Sequence, residues 1–98
     1  MGTNRRYGDR QFDRAIEEAA TRPAPVELTE AELDFANHPI ITAPKPIPVR
    51  AFVRFHEAVI RPNAEAIAWT DRAVQVRWTM HSGAVKTVWV WASAVDRL

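Results

Sequence analysis

The chain contains no cysteine, which removes disulfides, thiol nucleophiles and thiolate metal ligands together. Glycine is almost as scarce: Gly2, Gly8 and Gly83 are the whole supply, none opens a helix, and a glycine-rich phosphate loop cannot be built. Ser82 and Ser93 have no nucleophile elbow around them. His38, His56 and His81 are the only histidines, and neither a helical i,i+4 pair nor a carboxylate at metal-ligand spacing accompanies them. Glu57 and Glu65 bracket a turn without the pocket that acid–base chemistry needs. No apolar run approaches the ~20 residues of a membrane span. The opening MGTNRRYGDR is followed by no apolar stretch, unlike a secretory signal, and Arg6 stands where myristoylation requires Ser or Thr. These absences lead us to expect a non-enzymatic, cytoplasmic protein with no cofactor, no metal and no membrane partner.

What is present suits one small globular domain: hydrophobic residues form 47% of the chain and charged residues 26%, ordinary proportions for a globular chain. The net charge of +1 hides an asymmetry, because residues 1–48 carry six bases against eight acids and residues 49–98 seven bases against four acids. Neither half has the strong basicity of a dedicated nucleic-acid binder. The acids concentrate at Glu17, Glu18, Glu27, Glu30, Glu32 and Asp34, with Arg22 alone among them.

Periodicity divides the chain. Residues 1–8 lack it and are expected to be a disordered tail. Residues 9–37 read as two short helices. In the first, Phe12, Ile16, Ala19 and Ala20 make one thin apolar stripe between Asp9 as cap and Pro23 as stop. The second, over about residues 30–36, has stronger signals: Thr29 and Glu32 form a capping box, and Leu28 with Leu33 forms the matching hydrophobic staple. Asn37 is the expected left-handed stop, ahead of Pro39. Residues 38–48 hold most of the remaining prolines and read as an extended linker.

From residue 49 to 98 the period becomes two, predicting an antiparallel β domain. Val49, Ala51, Val53 and Phe55 alternate with Arg50, Phe52, Arg54 and His56. A two-residue Ser82-Gly83 loop would set Trp78 opposite Thr87 and Val76 opposite Trp89. An Asp71-Arg72 turn would set Trp69 opposite Val74 and Ile67 opposite Val76. Both registers gather the bulky residues, Trp78 and Trp89 included, on one core face. The terminal Ala92-Ser-Ala-Val-Asp-Arg-Leu98 reads as a tight turn and a last short strand. The fold class expected is α+β, mainly β, with a helical arm on a small sheet. Four or five short strands, a long first connection, tight hairpins and a turn before the last strand resemble an SH3-like, partly open barrel over residues 49–98. The acidic loop and tyrosine pair of signalling SH3 domains have no counterpart here, so the resemblance carries no binding residues. An open four-stranded meander with a helix packed on it satisfies the same pattern.

Two surfaces are candidates for function. Ala64, Ala66 and Ala68, flanked by Val88 and Val90, form an apolar strip within the polar sheet face, fit to seat a helix of this chain, of a second copy or of another protein. Arg50, Arg54, Arg77 and Lys86, with Phe52 as the one aromatic, form a basic face that suits weak nucleic-acid binding, with the acidic arm as its cover. A binding or adaptor role toward protein, self-association included, is the expectation; nucleic acid is the alternative.

Overall fold

The computed structural model describes residues 24–98. The tail at 1–8 and the first expected helix lie outside the described residues. Within them stands a mainly β fold. Strands β1 (Ile41–Ala51), β4 (Asn63–Trp69), β5 (Ala73–Thr79), β6 (Val85–Trp91) and β7 (Val95–Arg97) form one antiparallel sheet in the order β6-β5-β4-β1-β7, curled into a half-barrel. A separate hairpin of β2 (Val53–Arg54) and β3 (Val59–Ile60) is inserted between β1 and β4. A 3-10 turn at Ala92–Ala94 precedes β7.

Helical content among the described residues is one turn, α1 (Glu30–Leu33), plus that 3-10 turn. The capping box is present: Thr29 Oγ1 accepts from the Glu32 N–H at 3.1 Å, and Glu32 Oε1 accepts from the Thr29 N–H at 2.9 Å. The helix stops three residues before the expected end, because Asp34 rather than Asn37 adopts the left-handed conformation, with φ 46°. Asn37 serves that stop instead, donating its side-chain amide to the Asp34 carboxylate at 2.9 Å. An aspartate tolerates this region through such local bonding.

The segment read as linker is mostly strand. Ile41 and Thr42 pair with Trp69 and Ala68; the ladder then breaks, and Ile47 to Arg50 resume pairing with Ala66 to Asn63. Pro44 and Pro46 fall in the break, where a missing N–H removes no ladder bond.

Two registers differ from expectation. The β5–β6 connection has three residues, His81-Ser82-Gly83, closed by Met80 N–H to Ala84 O at 2.7 Å, with Gly83 at φ 93° supplying the positive dihedral such a loop needs. Trp78 therefore opposes Lys86, and Trp89 opposes Gln75. Across β4–β5, Trp69 opposes Val74 as expected, but a bulge at Ile67 sets Ala66, not Ile67, opposite Val76. The bulge shifts the phase of alternation, sending Ala66 to one face and Ala68 to the other.

The result is two apolar clusters rather than one. The inner cluster fills the curl with Val49, Ala51, Val53, Phe55, Val76, Trp78, Met80 and Val88. Trp78 is 4% exposed, meets Phe55 edge-on at 6.3 Å, and donates its indole N–H to Met80 Sδ at 3.1 Å. The outer cluster places Trp89 with Ala68, Ala73 and Leu33, Leu28 packing beside them. Trp78 and Trp89 thus lie on opposite faces. Slipping the register did not expose Trp89, which stays 8% exposed, because Leu33 and Phe35 cover it.

Candidate functional site

The apolar strip proves to be interior. Ala64, Ala66, Val88 and Val90 belong to the inner core, and Ala68 lies beneath Leu33, so these five residues offer no open seat on the folded chain. Part of the docking expected there is nevertheless intramolecular. Leu33, delivered by the Thr29 cap, rests on Ala68, Ala73 and Trp89.

The basic residues do not form one face. Arg50 and Arg77 share the outer side of β1 and β5, but β4 runs between them and partners both. Glu65 Oε1 accepts from Arg77 at 2.9 Å, and Asn63 Oδ1 accepts from Arg50 Nε at 3.1 Å. Lys86 opposes Trp78, and opposed residues share a face, so it projects from the other side of the sheet. Arg54 and Phe52 stand apart on the β2 side of the molecule. The register slip and the folded-out hairpin both act against the coplanar arrangement that alternation alone predicts.

Near Arg54 the structure assembles something the periodicity did not reveal. Residues 26–28 cross as a strap from the hairpin to the free edge of the sheet. Val26 N–H donates to Arg54 O at 2.8 Å, and Leu28 N–H donates to Trp89 O at 3.3 Å. Glu27 completes the crossing, its Oε2 accepting from the Trp89 N–H at 3.1 Å. Both edge-facing backbone groups of Trp89 are thereby satisfied. Val26 and Leu28 alternate with Glu27 and lead into the cap at Thr29; that short alternation was the available signal, hidden between two prolines and a helix start.

Beside the strap lies a groove of about 250 Å³ whose walls include Phe52, Arg54, Trp89, Trp91, Val26 and Glu32. Phe52 is 48% exposed and Trp91 39%. Each carries an arginine over its ring, Arg61 at 4.8 Å from the Phe52 centroid and Arg72 at 6.0 Å from that of Trp91. Arg61 is also held by Asp96 at 3.3 Å, whereas the buried Nε of Arg72 has no hydrogen-bond partner. Two further hollows exist. An apolar one of about 250 Å³ opens between Ile47, Trp69, Val74 and Val95, and a mixed one of about 260 Å³ lies between Arg61, Asn63, Met80 and His81.

His38 meets Asp71 at 2.5 Å, tying the turn after α1 to the β4–β5 turn. His56 and His81 lie in the β2–β3 and β5–β6 connections. The described residues contain no group of three or more His, Cys, Asp or Glu able to hold a metal ion. No helix among them is long and apolar enough to cross a membrane. No protein-family model, curated protein or solved structure matches the chain.

Proposed function

We propose that this chain is a non-enzymatic protein-binding module built on an SH3-like small barrel and acting in the cytoplasm. The observation that carries the reading is the groove beside the strap. Exposed Phe52 and Trp91, each stacked with an arginine, have the composition of binding hot spots, where aromatic rings and arginine dominate. Lining one groove together, they belong to a contiguous exposed apolar patch, the kind of surface that marks an interaction site. The barrel assignment is supported by the order β6-β5-β4-β1-β7, the hairpin inserted after β1, and the 3-10 turn before β7.

A random peptide library panned on the full chain tests the reading. A consensus sequence should be enriched, and Phe52→Ala or Trp91→Ala should abolish its capture while leaving the melting transition in place. Absence of any enriched sequence, or enrichment indifferent to both substitutions, would refute it.

Nucleic-acid binding is the second reading, resting on the arginines of this half of the chain. It is weakened by the pairing of Arg77 with Glu65 and by the separation of Lys86 from Arg50. Four acids of the arm, Glu27, Glu30, Glu32 and Asp34, also lie on or next to the strap, where they repel phosphate.

A further inference from the structure

The edge of β6 is longer than the strap that crosses it. Antiparallel pairing alternates, and the closing bond between Met80 and Ala84 makes the even-numbered residues of β6 those that exchange bonds with β5. Val85, Thr87 and Trp89 therefore turn their N–H and C=O groups outward. The strap meets those of Trp89 and then leaves the edge, because the Thr29 cap starts α1. No described residue meets the outward backbone groups of Val85 and Thr87, and the Val85 side chain is largely exposed. An open row of this kind is a template for an added strand.

The strap also shows what chemistry the edge accepts. A carboxylate takes the Trp89 N–H, and the next residue donates to the Trp89 carbonyl. That leucine packs beside the hydrophobic seat of Ala68, Ala73 and Trp89. The surrounding half of the chain, residues 49–98, has seven bases against four acids, whereas the strap and α1 are acidic. A second extended acidic segment would fit the same groups. By running along β6 instead of crossing it, that segment would gain the bonds at Thr87 and Val85 that the strap forgoes.

We propose that the outer edge of β6 from Val85 to Trp89, with its seat of Ala68, Ala73 and Trp89, is a strand-addition site for an extended acidic peptide of a partner protein, one bearing a glutamate directly before a leucine. Residues Val26–Leu33 occupy its Trp89 end and the hydrophobic seat in cis and compete there with that peptide. The inference rests on the protein-binding reading and narrows it to one class of partner. The strap acts at the high effective concentration of a tethered ligand, so the intact chain binds the peptide weakly until the strap is loosened.

The test uses the full chain and a synthetic peptide of residues 24–36, with a control peptide carrying Glu27→Lys. Binding is followed by fluorescence anisotropy, and the site by amide shifts of the isotope-labelled chain. In the chain, the double substitution Glu27→Ala with Leu28→Ala removes the strap's anchor. It should raise affinity for the peptide about tenfold, the factor that a ~1.4 kcal/mol loss of competition produces. Amides of Thr87 and Trp89 should shift, and the control peptide should fail to bind. Thr29→Ala, which weakens only the cap, should move affinity in the same direction by a smaller factor, and it decides the matter should the double variant not fold. Equal affinity for the intact and loosened chains, or no binding to either, would overturn the proposal. So would concentration-dependent dimerisation of the loosened chain through these amides, because it would assign the edge to a second copy. A library consensus obtained on the loosened chain that depends on Phe52 and Trp91 but lacks the acid–leucine pair would remove this inference and leave the broader reading intact.

Discussion

Two clusters on opposite faces of one sheet make a quantitative prediction about which substitutions interact. Leu33 and Trp89 share the outer cluster, while Val76, fully buried, lies in the inner one. Leu33→Ala should cost about 2 kcal/mol, the low end for a buried leucine, since the one-turn helix around it can settle into the gap. Trp89→Ala should cost about 3 kcal/mol, because an indole buries roughly 150–250 Å² and this one also loses its contact with Phe35. Combined, they should cost about 1 kcal/mol less than their sum, since removing Trp89 takes away what Leu33 packs against. Val76→Ala should cost about 2 kcal/mol for two buried methyls and the cavity they leave. That cost should add to the cost of Leu33→Ala within about 0.5 kcal/mol, the margin for sites without shared partners. Urea denaturation followed by tryptophan fluorescence measures all the variants. Sulfate in the buffer keeps the doubles within range, given the ~5–15 kcal/mol expected for a whole domain. A single core, with Trp78 and Trp89 on one face, predicts the reverse ordering. Strong coupling of Leu33 to Val76, with none to Trp89, would refute the two-cluster description.

Other consequences can be checked on the same protein. Trp78→Ala should cost about 3–5 kcal/mol and leave the chain mostly unfolded at ambient temperature, so a melting point within a few degrees of wild type would contradict its burial. Thr29→Ala should lower stability by about 1 kcal/mol in urea titrations through loss of the cap, and amide exchange at Leu33 and Asp34 should speed up. Gly83→Val should cost about 1–2 kcal/mol from backbone strain alone, because an added Cβ at φ 93° meets open space; a neutral result would mean the loop adopts another geometry. In mobility-shift assays at about 0.15 M salt, where screening acts over ~8 Å, the full chain should bind DNA or RNA weakly or not at all. Submicromolar binding lost on Arg54→Ala or Arg77→Ala would promote the nucleic-acid reading.

Local chemistry is legible in the residues themselves. The Thr29–Glu32 box, the turn at Asp71-Arg72 with Trp69 opposite Val74, the strands over residues 63–69, 73–79 and 85–91, and the terminal turn and strand all follow from capping, turn residues and period-two alternation. These features depend on interactions a few residues apart, and each residue type points to one conformation. The proline-rich segment misleads because proline argues against a ladder in general, yet costs nothing where the ladder is already broken, as it is between Thr42 and Ile47.

Faces and partners are another matter. One extra residue in the loop at Gly83 and one bulge at Ile67 each invert the side to which the following side chains point. Alternation in sequence is the same on either side of such a slip, so it places residues on faces only relative to their own strand. Ala64, Ala66, Ala68, Val88 and Val90 therefore read as a surface strip and fold as two parts of the interior. The strap depends on contacts 28 to 62 residues apart, Val26 to Arg54 and Glu27 to Trp89; the short alternation at residues 26–28 marks an extended segment but not the edge it meets. Where the strands and the helix cap begin is written in neighbouring residue types. Which side of the sheet each residue joins, and which edge the strap crosses, follow only from the folded sheet, because burial and edge pairing are properties of the whole curl and not of any segment within it.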